Sequence, residues 1–205
     1  GIMARTFSHQ TIIDLAEYSS VPVINALSDW SHPCQAMADL LTIQEHFGKL
    51  EGLKVAYIGD GNNVARSLAF ACAKFGMKID IASPANYELD EKSIETANSI
   101  MDNCVTQLND PFKAVEGAAA IYTDTWVSMG QEDEKQQRIA DFKGYQVNSE
   151  LISKAPSNVK VMHCLPAYRG MEITDEVVES QNSVIFDQAE NRLHFQRALL
   201  KHLMS

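Results

Sequence analysis

The sequence predicts an α/β protein: a Rossmann-like, mostly parallel sheet flanked by helices. Short β-branched runs alternate with longer segments of helical spacing along the chain, the pattern of successive βαβ units. Several helical segments open on Pro, Asn, Asp or Thr and close on glycine, as capping requires. Polar clusters sit just beyond strand-like runs, where parallel sheets gather ligands.

Taken in order, Val21-Pro22-Val23-Ile24-Asn25 is a short strand. Pro33 to Phe47 is a helix with Met37, Leu40, Leu41, Ile43 and Phe47 near helical spacing and Gly48 as its stop. Leu53 to Ile58 is a buried strand, and 62–75 a helix ended by Gly76. Strand 78–82, helix 90–101, strand 105–108 and segment 111–116 continue the alternation. A buried strand is expected at 118–123, helices at 132–142 and 149–154, and a strand at 159–162. Thr174 caps a short helix to Glu179, Ser183 to Phe186 is a last strand, and Gln188 to Met204 a terminal helix. Residues 84–87 and 128–133 are loops. The opening Gly1-Ile2-Met3-Ala4-Arg5-Thr6-Phe7 has no cap or loop ahead of it, as if the chain is entered partway through an element.

The 205 residues carry 45% hydrophobic side chains, enough for a sizeable core. No apolar run is long enough to span a bilayer, so no membrane partner is expected. The net charge of -10 and the absence of a Lys/Arg cluster exclude nucleic acid as an expected partner. Cys34, Cys72, Cys104 and Cys164 form no C-x-x-C pair and do not suit a zinc site, so no metal is expected. They are read as free thiols in a reducing cytoplasm.

Five patches carry candidate chemistry. Gly59-Asp60-Gly61-Asn62-Asn63 half-matches the dinucleotide fingerprint, and Asp80 lies near the spacing of a ribose-binding acid. Val64 stands at the third glycine position, however, and Asp80 falls inside its strand. The plainer reading is a tight strand-to-helix turn, with Asn62 and Asn63 offering amides to a carboxylate at a helix start. His32-Pro33-Cys34-Gln35 opens a helix; a neutral His and a Gln amide three residues apart can donate to a carbonyl or phosphate oxygen. The plain alternative is a capping histidine. In Asp124-Thr125-Trp126-Val127-Ser128-Met129-Gly130, Asp124 can accept from an ammonium group and Ser128 can hold the polar end of an amino acid; alone, it is a strand-end turn. In His163-Cys164-Leu165-Pro166, strand alternation sends His163 and Cys164 to opposite faces. Cys164 is therefore a ligand-facing or merely buried thiol rather than a nucleophile served by its neighbour. Arg192, and Arg5 near the N-terminus, offer fixed forks of donors suited to an anion; the alternative for Arg192 is a solvated pair with Asp187 or Glu190.

With these spacings, and with Gln44-Glu45-His46, Tyr145-Gln146-Val147-Asn148 and Glu190-Asn191-Arg192 in the same order, the chain resembles the ornithine carbamoyltransferase family over nearly its whole length. The resemblance implies transfer of a carbamoyl group from carbamoyl phosphate to the δ-amino group of L-ornithine, giving citrulline and phosphate in arginine biosynthesis. It assigns Arg5, His32 and Gln35 to carbamoyl phosphate; Asn63, Asp124, Ser128 and Met129 to ornithine; and Cys164, Leu165 and Arg192 to the surroundings of the carbamoyl group. Asp124, Cys164, Arg192 and His32 then carry the catalysis, without metal or organic cofactor, in a cytoplasmic homotrimer. The Ser-Thr-Arg-Thr phosphate loop of the family is not found in this sequence. The expectation is therefore a chain corresponding to the C-terminal two-thirds of the enzyme. It would comprise a remnant of the carbamoyl phosphate domain at 1–30, an interdomain helix at 31–47, an ornithine domain at 48–186 and a C-terminal helix at 187–205. It would be nearly inactive alone, with apolar surface near residues 1–20. A non-catalytic amino-acid-binding domain and a nicotinamide-dependent oxidoreductase are the competing readings.

Overall fold

The computed structural model describes residues 1–128 and 130–205, apart from the side chain of residue 132. Strands β1 (Ile2–Arg5) and β2 (Val23–Leu27) form a two-stranded parallel sheet joined through helix α1 (His9–Tyr18). Helix α2 (Pro33–Phe47) leads into the second sheet. There follow β3 (Lys54–Ile58), α3 (Asn63–Lys74), β4 (Lys78–Ala82), α4 (Glu91–Ile100), β5 (Val105–Leu108), α5 (Pro111–Val115) and β6 (Ala120–Thr123). A 3-10 turn at Glu132–Glu134 runs into α6 (Lys135–Asp141). Then come α7 (Ser149–Ile152), β7 (Lys160–His163), α8 (Asp175–Val178) and the long α9 (Ile185–Met204).

The second sheet has five parallel strands in the order β5-β4-β3-β6-β7. The chain builds outward from β3 to β5, then returns to place β6 on the other side of β3. The crevice of a doubly wound sheet opens beyond the strand ends at such a reversal. Pleating sends alternate residues to opposite faces. Val55, Tyr57, Ile79, Ile81, Ala120, Tyr122 and Met162 join one core with α2 and α3. Ala56, Ile58, Ile121 and Val161 join a second core with Val147, Leu151, Val177 and Ile185. Both faces of the sheet are covered, which explains why its strands are continuous apolar runs rather than alternating ones.

The helix signals act as expected. Asn62, Asp90, Asp110, Asn148 and Thr174 each accept backbone N–H groups as N-caps. Gly48 ends α2 in the left-handed region at φ 71°. Three readings are corrected. Helix α1 was not anticipated: it buries only Ile12, and its N-cap Ser8 makes no side-chain capping bond. The strand at 183–186 does not form. Ser183 makes one isolated parallel bridge to Val161, and Ile185 already begins α9. The run Val184-Ile185-Phe186 has β-branched character, but it is a helix start in which Val184 and Ile185 are buried against the core while Phe186 is exposed. The terminal helix therefore begins at Ile185 rather than Gln188, which sets Arg192 two turns into it.

Helices α2 and α9 join through polar side chains. Asn191 Nδ2 donates to Thr42 Oγ1 at 3.0 Å and Glu45 Oε2 at 2.6 Å. Gln188 Nε2 donates to Asp39 Oδ1 at 2.7 Å, and His46 pairs with Asp187 at 3.0 Å. The Gln44–His46 and Asp187–Arg192 segments, far apart in sequence, are thus two sides of one contact. Near the N-terminus, Ile2, Met3, Phe7, Ile13 and Tyr18 are exposed.

Gly61 is needed for space: a Cβ there would overlap the backbone of Glu88 and Leu89. Gly61→Ala is expected to destabilise the fold by about 3 kcal/mol, as overpacking against immovable backbone does. Urea unfolding checks this; an unchanged midpoint would show that the 88–89 backbone yields.

Candidate active site

A cavity of about 1360 Å³ opens at the sheet reversal. Among its lining residues are Arg5, His32, Asn62, Asn63, Asp124, Ser128, Cys164, Leu165 and Arg192. Of the predicted site residues, Gln35 does not line it, and Met129 lies outside the described residues.

The β3 and β6 ends face one another there. Asn62 Oδ1 caps α3 by accepting from the Val64 and Ala65 N–H groups at 2.9 and 3.2 Å. Its amide then has only N–H groups left to offer, and Nδ2 donates to Asp124 Oδ2 at 2.9 Å. Asp124 Oδ1 accepts from the Thr125 N–H at 2.7 Å and from the Cys164 thiol at 2.9 Å. The Asp124 carboxylate is almost completely buried and makes no ion pair with any described residue. It is an anion held by neutral donors, at a place lined by open cavity. Burial, then the adjacent Asp124 charge, raises the Cys164 thiol well above the ordinary range. The sulfur is therefore an S–H donor at neutral pH, not a thiolate nucleophile.

His163 is excluded as its base by geometry. Its Nδ1 accepts from the Leu165 N–H at 2.8 Å, and Nε2 meets buried Glu172 Oε1 at 3.1 Å. Both ring nitrogens are occupied in shaping the turn after β7. Asp124, His163 and Cys164 bring potential metal-ligating atoms within 4.8 Å of one another. Each of those atoms already has a hydrogen-bonding role, which is sufficient reason for the cluster.

The cavity lining also has a cationic region, where Arg192 and Arg5 both act on His32. Arg192 Nη1 donates to Gln35 Oε1 and lies 3.5 Å from His32 Nε2. With the Gln196 amide turned oxygen-inward, that oxygen accepts from Nη2 at 3.0 Å and Nε at 3.2 Å. Arg192 makes no ion pair with any described carboxylate. Because a guanidinium only donates, His32 Nε2 must be the accepting nitrogen and Nδ1 carries the proton. That Nδ1 is buried with no hydrogen-bond partner among the described residues. Burial, followed by the Arg192 and Arg5 charges, lowers His32 to about 3, so the ring is neutral. His32 heads α2 without using its side chain as a cap; its backbone N–H instead donates to Ser67 Oγ at 2.8 Å.

Other groups were not singled out from sequence. Arg138, nearly buried, joins Asp60 Oδ2 at 2.7 Å, Glu134 Oε2 at 2.9 Å and the Trp126 carbonyl at 3.1 Å, with its guanidinium over the Tyr87 ring. It ties the turn after β3 to the loop after β6. Ser128 N–H donates to Gln131 Oε1 at 2.9 Å, a local anchor for that loop. Asn63 Nδ2 donates to the Ser28 carbonyl at 2.7 Å, linking the two sheets' ends. No local motif marks Arg138 because its partner Asp60 is far away in the chain. The nucleotide-like features have other uses: Asp80 pairs with Lys54 at 2.6 Å, and Val64 is buried in the core.

Residues 51–203 match the family profile "Aspartate/ornithine carbamoyltransferase, Asp/Orn binding domain", and residues 1–45 match its carbamoyl-P binding domain. The chain belongs to the aspartate/ornithine carbamoyltransferase family. It is 53% identical over 205 residues to the ornithine carbamoyltransferase of Methanocorpusculum labreanum, covering 100% of this chain and 67% of the relative. It is 52% identical to the anabolic enzyme of Pyrococcus furiosus, covering 66% of that protein. The chain thus spans about two-thirds of the length of these relatives. The solved ornithine carbamoyltransferase of P. furiosus superposes with a TM-score of 0.95 at 52% identity, over 99% of this chain and 66% of that one. The Thermus thermophilus enzyme gives 0.91 at 45% identity, over 100% and 67%.

Two outcomes follow from the charges. Alkylation of Cys164 should stay slow at pH 8 and reach half-maximal rate well above pH 9, because the thiolate is disfavoured. Asp124→Asn, which removes the neighbouring negative charge, should move that midpoint downward; a wild-type midpoint below 8 would contradict the assignment. His32 ring resonances should show no titration between pH 5 and 8 by NMR, since its proton is gained only near pH 3. A midpoint near 6.5 would mean that the ring is solvated.

Proposed function

We propose that this chain carries the ornithine and carbamoyl-transfer chemistry of an ornithine carbamoyltransferase. The observation that supports it most is the pair of unneutralised charges in one cavity: the Asp124 carboxylate, and the Arg192 cation beside neutral His32. An amino acid with a second amine suits the first, and a phosphate-bearing acyl donor suits the second.

In this reading the carbamoyl phosphate oxygens take the Arg5, His32 and Arg192 donors, while Gln35 supports Arg192 from behind. Ornithine is held by Asn63, Asp124, Ser128 and Met129. The Asp124 carboxylate, oriented by Asn62 and Cys164, accepts from the neutral δ-amine and aims its lone pair at the carbamoyl carbon. The C–N bond forms as the carbonyl oxygen gains charge, and His32 Nδ1–H and Arg192 stabilise that charge. The C–O bond then breaks, phosphate leaves with the bonding pair, and the amine's surplus proton passes to it. Fixed donors that need no rearrangement supply the electrostatic term, and joint binding supplies proximity. Cys164 and Leu165 border the carbamoyl group. The reading also places the protein in cytoplasmic arginine biosynthesis as a homotrimer, with segment 31–47 as the interdomain helix between 1–30 and the ornithine domain at 48–186, and 187–205 as the closing helix.

The test is citrulline formation from carbamoyl phosphate and L-ornithine by the complete gene product. Arg192→Ala should lower kcat by about 100-fold, as loss of one preorganised donor does, with ornithine affinity changing by less than about threefold. Ornithine binding without citrulline formation in the wild type would favour a non-catalytic binding domain. Tight NAD binding without ornithine binding would favour the oxidoreductase.

A further inference from the structure

We propose that Asp39 is a positioning residue for the cationic region of this site: its Oδ1 fixes the amide orientation of Gln35 and Gln188, and through Gln35 aims Arg192. The inference rests on the carbamoyl-transfer reading and adds to it a residue outside the cavity.

Asp39 is fully buried in α2 and makes no ion pair among the described residues. One of its oxygens, Oδ1, accepts from both Gln35 Nε2 and Gln188 Nε2 at 2.7 Å. Because that oxygen only accepts, each glutamine must turn its NH2 toward it. Each amide oxygen is thereby forced to the far side. The Gln35 oxygen accepts from Arg192 Nη1. The Gln188 oxygen accepts from the His163 N–H at 2.8 Å, one residue before Cys164. A single acceptor therefore sets the polarity of two relays that end on the two sides of the reaction centre. If Gln35 were flipped, its NH2 would face a guanidinium, donor against donor, and Arg192 would be pushed from its place.

The local chemistry fits a hub that works in either protonation state. Burial raises the Asp39 carboxyl to about 7, against the opposing pull of hydrogen bonds from Gln35, Gln188 and Tyr122 and of the Arg192 charge. The second oxygen, Oδ2, accepts from neither glutamine, and the buried Tyr122 hydroxyl interacts with the carboxyl. A proton on Oδ2 leaves Oδ1 accepting as before. Asparagine reproduces that arrangement, with its NH2 in the place of Oδ2. Leucine keeps the volume and removes the acceptor. The helix pair has further ties through Asn191 to Thr42 and Glu45, so the apolar replacement retains its main support.

The test uses the complete gene product, with inorganic phosphate affinity by calorimetry and kcat for citrulline as readouts. Asp39→Leu should weaken phosphate binding and lower kcat by about tenfold or more, while Asp39→Asn stays within about threefold of wild type on both. In an Arg192→Ala background, Asp39→Leu should cause no further loss of phosphate affinity, because its effect passes through the missing guanidinium. Equal damage from Asn and Leu, or a full additive loss in the Arg192→Ala background, would overturn the inference and leave Asp39 a packing residue. So would an Asp39→Leu protein that behaves as wild type. A wild-type protein that neither binds phosphate nor forms citrulline would instead overturn the carbamoyl-transfer reading, and this inference with it.

Discussion

The hydrogen bond from Asn62 Nδ2 to Asp124 Oδ2, 2.9 Å long, spans the line where the sheet reverses its winding. Strands β3 and β6 are neighbours there although 61 residues of sequence, carrying α3, β4, α4, β5 and α5, separate Ile58 from Ala120. 

That separation makes the bond long-range, and it does three things at once. It uses up the amide left free when Asn62 caps α3, it orients a buried carboxylate without neutralising it, and it holds the two strand ends at a fixed spacing. A neutral donor is what the site needs here. A lysine or arginine in its place would cancel the charge that the proposed function assigns to an incoming amine, whereas an unpartnered carboxylate would be costly to bury.

The same economy governs the cationic region. Arg192 is held by Gln35, His32 and Gln196, all of them neutral. Neutral acceptors fix its direction and leave its charge for a ligand. The scaffold behind it is the polar contact between α2 and α9, where Asp39, Thr42 and Glu45 meet Gln188 and Asn191. A purely apolar contact between those helices would pack as well but would not set rotation so strictly. Arg138, bridging Asp60, Glu134 and the Trp126 carbonyl, plays the corresponding part for the loops around Asp124.

Much of this was legible in the residues. Caps and stops such as Asn62, Asp90 and Gly48 are local signals, and local signals bounded their helices well. The buried strands were visible because both faces of the sheet are covered. Helix α1 was not anticipated: it lacks the local end signals that bounded the other helices, since Ser8 makes no side-chain capping bond and neither end carries a helpful charge. The start of α9 looked like a strand because Val184-Ile185-Phe186 is apolar in the manner of an edge, yet the burial of Val184 and Ile185 comes from a helix end set against β7. Along the cavity, His32, Asp124, Cys164 and Arg192 stand in patches that the sequence marks, but which side chains pair with one another is not marked there. The work of Gln35, Asn62, Asp60 and Arg138 depends on contacts between distant segments, which no spacing in one sequence records.

The central claim is that one cavity holds a fixed anion and a fixed cation, each left unpaired for a separate ligand. A crystal structure of the complete gene product with L-ornithine and inorganic phosphate tests it most directly. The account predicts phosphate oxygens within about 3 Å of Arg192 and His32 Nδ1, and an ornithine amine on the Asp124 carboxylate. Phosphate seated instead on the Gly59–Asn63 turn, or ornithine bound without contact to Asp124, would contradict it.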